Sequence, residues 1–151
     1  IKARVDLGFV GIVTGVKTDL IEKDLNSSAV IVIAPMGVDG HGVVYNINAD
    51  EAASKTAAAL TAEKFVLLTN VRGVMRNPED PESLITSLDL NDIKSLVEQN
   101  VIQSCMIPKV NACIDALEGN VNKTHIIDAR IPHALLLEIF TDKGVGTEIV
   151  K

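Results

Sequence analysis

Short apolar runs rich in Val and Ile alternate along this chain with longer amphipathic stretches, and that alternation limits the available folds more than any other feature. Ala29 to Ala34 (AVIVIA), bounded by Pro35 and Gly37, has the length and β-branched content of a buried strand. Phe65 to Thr69 (FVLLT) and Thr124 to Asp128 (THIID) repeat the pattern. Between these runs, Glu51 to Lys64 is rich in Ala, whereas Leu88 to Gln99 and Pro108 to Leu117 carry apolar residues at three-and-four spacing. Strands that alternate with helices predict an α/β fold with an open, mostly parallel sheet sandwiched by helices. Turn chemistry at Asp39 to Gly42 (DGHG) predicts a link between two short hairpin strands, one near Tyr45 to Ile47. Asp50 precedes a helix, where its charge suits the positive end of the dipole. Pro108 opens the helix that closes near Gly119. Asn77 to Ser83 reads as an exposed loop, His133 to Phe140 as a helix, and Gly144 to Gly146 as a turn before an extended piece ending at Val150.

Composition narrows the function classes. Hydrophobic residues make up 47% of the 151 residues, yet no apolar run reaches the length of a membrane span. The net charge of -6 and the lack of clustered Lys and Arg argue against a nucleic-acid partner. Cys105 and Cys113 stand eight apart with no second pair, so neither a disulfide framework nor a zinc site is indicated, and reduced thiols in a cytoplasm-like compartment fit. His41, His125 and His133 are too scattered for a metal triad, and Walker, dinucleotide and nucleophile-elbow motifs are absent.

Three segments carry more polar chemistry than folding requires. In YNINADEAA (Tyr45 to Ala53), Asn46 and Asp50 sit four apart at the mouth of a helix. They suit a substrate-binding amide beside a carboxylate that positions a cation, although a turn residue and an N-cap would look the same. In MIPKV (Met106 to Val110), Lys109 occupies the first turn of a helix, where positive charge is electrostatically misplaced unless an anion shares the site. A surface lysine whose stem covers apolar area is the plainer alternative. In LTNVRGV (Leu68 to Val74), Thr69 and Asn70 lie beyond the carboxyl end of a strand, where ligands of open α/β sheets gather.

Together with VDLGFVG (Val5 to Gly11), AEKFVLLTNVRGV (Ala62 to Val74) and HIIDARIPHALLLEIFTDKGVGT (His125 to Thr147), these segments resemble the acetylglutamate kinases of the amino-acid kinase (carbamate kinase-like) fold family over nearly the whole chain. The resemblance implies transfer of the terminal phosphoryl group of ATP, with Mg2+, to the side-chain carboxylate of N-acetyl-L-glutamate, in arginine biosynthesis. It implies acetylglutamate binding by Asn46, a lysine-holding carboxylate at Asp50 and a phosphate-binding catalytic lysine at Lys109. It further assigns Thr69, Asn70, Gly73 and Met106 to the nucleotide site. His125, Glu138 and Gly144 fall in the stretch where arginine-inhibited members bind arginine, with Glu138 facing a cationic group of the ligand. Partners implied are a homo-oligomer and a PII-type signalling protein, in the cytoplasm or plastid stroma. Residues 1–60 would end the acetylglutamate-binding domain and residues 61–151 would form the nucleotide-binding domain. Another kinase of the same fold, acting on aspartate, carbamate or a nucleoside monophosphate, and a non-catalytic regulatory module are the competing readings.

Four differences stand out against the family pattern. Asn70 replaces an aspartate, Ser104-Cys105 replace a Gly-Gly pair, and Ala129 replaces the glycine of Asp-Gly-Arg. Side chains where glycine is usual predict a narrower nucleotide site. The family's N-terminal strand and lysine-bearing Gly-rich loop have no counterpart from Ile1 onward, which predicts that this chain alone is inactive.

Overall fold

A computed structural model describes residues 8–103, 105–141 and 144–151. Part of the VDLGFVG segment, Val5 to Leu7, and the substitution at Ser104 lie outside the described residues, as do Asp142 and Lys143.

A first helix, α1 (Asp19–Leu25), precedes the hairpin β1 (Met36–Val38) and β2 (Val44–Asn46). As the DGHG segment predicts, Asp39 builds the hairpin turn, its carboxylate accepting from the His41 amide at 2.8 Å and the Val43 amide at 3.0 Å. Helix α2 (Ala49–Ala59) leads into β3 (Lys64–Thr69), then the two-residue strand β4 (Ser87–Leu88), α3 (Leu90–Glu98) and α4 (Ile107–Glu118). Strand β5 (Lys123–Asp128), α5 (Ala134–Phe140) and β6 (Thr147–Ile149) complete the order. The main sheet runs β3-β5-β6-β4, with β3·β5 and β4·β6 parallel and β5·β6 antiparallel, so the expected mostly parallel sheet is present. Among the described residues no helix is long and apolar enough to cross a membrane.

Two helices cover opposite faces of β5. The Cys113 side chain of α4 meets Thr124, whereas the Glu138 side chain of α5 meets His125, the next residue along the strand. Successive strand side chains point to opposite faces, so α4 and α5 form separate outer layers. The core lies chiefly on the α4 side of the chain's second half, where Val110, Ala116, Leu117, Val121 and Ile126 are at most 1% exposed. Burial there pushes the Cys113 thiol up to about 12, so it behaves as a small apolar side chain with a weak donor.

The segment Ala29 to Ala34 corrects the strand expected there. It pairs with no described strand, and Val30 and Val32 are each 93% exposed. Its composition suits a buried strand, but a strand needs a neighbouring backbone on its edge, and the β1–β2 hairpin does not supply one. Helix α2 also stops at Ala59, short of Lys64. Leu60 caps it, and Thr61 turns the chain with φ 47 before β3 begins.

Candidate active site at the carboxyl edge of the sheet

Helices α2 and α4 lie side by side and point the same way. Lys109 Nζ is 3.2 Å from Asp50 Oδ2 in their first turns, and Lys55 Nζ is 3.1 Å from Asp115 Oδ2 midway. At the far end Gly119 packs so closely on Ala58 that a Cβ there would overlap it. Each helix runs directly into a strand, α2 into β3 and α4 into β5, and those strands are parallel neighbours in register from Lys64↔Lys123 to Thr69↔Asp128. The two helix N-termini and the carboxyl ends of β3 and β5 therefore share one edge, the usual ligand-gathering edge of an open α/β sheet.

Asn48, not Asp50, caps α2. Its side-chain oxygen accepts from the Asp50 amide at 2.9 Å and the Glu51 amide at 3.2 Å. This corrects the capping role considered for Asp50 and leaves its carboxylate free for Lys109. Both members of that pair are one-quarter exposed, so the ammonium is held in place while still open to an approaching anion. Lys109 adds its charge to the positive end of the α4 dipole, and two positive features in one place favour a phosphate. Asn46 ends β2, two residues before the cap; its backbone pairs with Phe9 and Gly11, and its exposed side chain makes no hydrogen bond among the described residues.

The end of β3 is a tight turn. The buried Thr69 Oγ1 accepts from the Val71 amide at 3.0 Å and donates to the Val71 carbonyl at 2.9 Å, so this hydroxyl shapes the loop rather than facing solvent. Asn70 next to it is exposed. Gly73 has φ 144, and a Cβ there would lie 2.5 Å from Thr147 Oγ1, so glycine is required by the approach of β6. Met106 precedes α4 and packs, partly buried, against the core. Ala129 adopts no positive φ and donates its amide to the Thr69 carbonyl at 2.8 Å, so alanine is accommodated without strain. Cys105 is exposed.

His125, Glu138 and Gly144 do meet, but on the α5 face of the sheet, away from Lys109. Glu138 Oε1 lies 2.8 Å from His125 Nδ1, while Oε2 accepts from the Val145 amide at 2.7 Å and the Gly146 amide at 3.0 Å. Burial pushes this carboxyl up, and the Val145 amide and His125 more than offset it, leaving it below the usual carboxylate range. Gly144 has φ 62, and a Cβ would stand 2.7 Å from Glu138 Oε2. His125 Nε2 is buried without a hydrogen-bond partner among the described residues.

Reading the sequence missed one pair at the carboxyl edge of the sheet. Asp128 closes β5 and grips Arg130 through both carboxylate oxygens, Oδ1 to Nε at 2.9 Å and Oδ2 to Nη2 at 2.8 Å. The available signal was an aspartate at the carboxyl end of a strand with an arginine two residues on.

A family model described as the amino acid kinase family matches residues 1–128. Among curated relatives, the acetylglutamate kinase of Heliobacterium modesticaldum is 53% identical over 146 residues, covering 97% of this chain and 50% of the relative. The chain thus spans about half the length of the curated relatives it matches. Among solved structures, N-acetylglutamate synthase from Neisseria gonorrhoeae complexed with coenzyme A and L-arginine has a TM-score of 0.89 at 28% identity, covering 100% of this chain and 34% of that one. Carbamate kinase from Giardia lamblia bound to AMP-PNP, with a TM-score of 0.63 at 24% identity over 89% of this chain and 44% of its own, shares the fold.

Proposed function

Because the chain belongs to the amino acid kinase family, we propose that the protein carrying it transfers the terminal phosphoryl group of ATP to the side-chain carboxylate of N-acetyl-L-glutamate, as a step of arginine biosynthesis. The products are ADP and an acyl phosphate. The observation that carries this reading is the Lys109–Asp50 pair at the edge where two helix N-termini and two strand ends converge. Phosphoryl transfer asks a protein mainly for positioning and for charge opposite the moving group. Lys109 and the positive end of the α4 dipole supply that charge, and Asp50 fixes the direction of the ammonium. Asn46 offers an unpaired amide to acetylglutamate, and the loop from Thr69 to Gly73, with Met106, borders the nucleotide. Residues 1–60 end the acetylglutamate-binding domain and residues 61–151 form the nucleotide-binding domain, with α2, the last helix of the first, carrying Asp50. Mg2+ enters with the nucleotide phosphates. Among the described residues no three potential ligands converge, so the donor set does not fit a resident metal, and no step runs through one.

Arginine as a feedback inhibitor is supported by the solved neighbour complexed with L-arginine, and His125, Glu138 and Gly144, which meet in one place, are the residues we assign to it. Both Glu138 oxygens are already engaged, so on this reading Glu138 shapes the turn that receives arginine, and direct contact with a guanidinium requires that turn to open. Apolar residues exposed on α5, Phe140 foremost, support assembly into a homo-oligomer. A PII-type signalling protein as a further partner and the cytoplasm or plastid stroma as location complete the proposal.

Asn46→Ala tests the substrate assignment. In the full-length protein it is expected to raise the KM for N-acetyl-L-glutamate about tenfold, the loss expected for one hydrogen bond to a charged ligand, with a small change in the KM for ATP. An unchanged acetylglutamate KM removes Asn46 from the site.

A further inference from the structure

The roles assigned above leave the Asp128–Arg130 pair without one. Asp128 is fixed from three directions: its side chain is 6% exposed, and it accepts from the Arg130 amide at 3.0 Å in addition to the two guanidinium bonds. The amide bond closes the turn after β5, and any residue at position 130 with an N–H would make it. The guanidinium bonds add nothing to that turn. They immobilise a side chain that is 67% exposed and whose remaining N–H groups have no partner among the described residues. The turn is tied to the end of β3 through the Ala129 amide and the Thr69 carbonyl. The guanidinium bonds of Arg130, then its amide and, least of all, the charge of Arg72 from the loop after β3 hold the Asp128 carboxyl down to about 2. In a chain with a net charge of -6, Lys109, Arg72 and Arg130 thus gather around one edge.

We propose that Arg130 is a nucleotide-binding residue whose guanidinium contacts phosphate oxygens of ATP, and that Asp128 is the positioning residue that presents it. This rests on the reading of the carboxyl edge as a nucleotide site. A planar guanidinium matches phosphate geometry better than an ammonium does. An arginine already held by a buried carboxylate loses little further rotamer freedom when it binds. Because Asp128 offsets the charge of its partner, the gain is chiefly in direction, with Arg72 adding long-range attraction.

The test measures calorimetric affinities for ATP and for N-acetyl-L-glutamate, with melting temperatures, on the full-length protein and its Arg130→Ala, Arg130→Lys and Asp128→Asn variants. Arg130→Ala is expected to weaken ATP about tenfold while leaving acetylglutamate affinity and melting temperature near wild type. Arg130→Lys should recover little of that loss, and Asp128→Asn should show a smaller, equally selective loss. Unchanged ATP affinity in Arg130→Ala, or a parallel loss for both ligands with a lowered melting temperature, overturns the inference while the nucleotide reading stands. Failure of the wild type itself to bind ATP overturns both.

Discussion

Lys109→Ala in the full-length protein is expected to lower the rate of phosphoryl transfer to N-acetyl-L-glutamate by about a hundredfold or more, with a smaller change in acetylglutamate KM. The lysine sits in the first turn of α4, where nothing in helix energetics favours it, and its ammonium is aimed by Asp50 at 3.2 Å. A charge placed this way matters most when negative charge grows on the transferred group, so its loss falls on turnover rather than on binding of the acceptor. A hundredfold loss corresponds to about 2.7 kcal/mol of transition-state stabilisation. The fold should survive, because Asp50 is one-quarter exposed and can be hydrated once its partner is gone, and the cap of α2 belongs to Asn48. Turnover near that of the wild type would remove Lys109 from the mechanism.

The largest stability effect is expected at an uncharged residue, Thr147. Its hydroxyl is fully buried, accepts from the Val74 amide at 2.8 Å and donates to the Ile85 carbonyl at 2.7 Å, joining positions 73 and 62 residues away in sequence. Thr147→Val keeps the shape and deletes both bonds. A buried donor left unpaired costs about 1–3 kcal/mol and the Ile85 carbonyl loses its partner as well, so a loss of about 2–4 kcal/mol is expected. At this chain length that is a fall of roughly 5–15 °C in melting temperature, measurable by circular dichroism. A shift of a degree or less would show that water or a rearranged turn replaces the hydroxyl. The same clamp fixes the turn through Gly73, so KM for ATP should rise in the variant as well.

The layered α/β plan was legible because its signal is local. The alternation of FVLLT and THIID with amphipathic runs gives β3, β5, α3 and α4, and Pro108 with Gly119 brackets the last of these. Where reading failed, the deciding contact lay elsewhere in the chain. Ala29 to Ala34 has a strand's composition, but no described strand lies against it. Asn48 and Asp50 are both competent caps two residues apart, and only the backbone shows which carboxyl or amide oxygen meets the first amides. Gly73 reads as a nucleotide-loop glycine, and the contact that requires glycine there comes from Thr147, far along the sequence. Of the candidate site, YNINAD and MIPKV stand out in the sequence, and the structure brings Asp50 and Lys109 from them to 3.2 Å, a contact between residues 59 apart that residue chemistry alone leaves open. Asp128 and Arg130 carry no distinctive local signal, because their pairing depends on the turn after β5, where the alanine between them is tolerated by the backbone. Glu138 is expected to face a cationic group of a ligand, yet its side chain is 4% exposed and committed to His125 and the turn after α5.

The central claim is the identity of the phosphoryl acceptor, and trapping the product with hydroxylamine tests it most directly. An acyl phosphate reacts with hydroxylamine to give a hydroxamate, whereas a phosphate ester does not. Full-length protein incubated with MgATP and, in parallel, N-acetyl-L-glutamate, aspartate, carbamate or a nucleoside monophosphate should yield N-acetylglutamyl hydroxamate and a matching amount of ADP in the first reaction alone. ADP release that depends on another acceptor, or no hydroxamate from acetylglutamate under conditions where ATP is bound, would contradict the assignment.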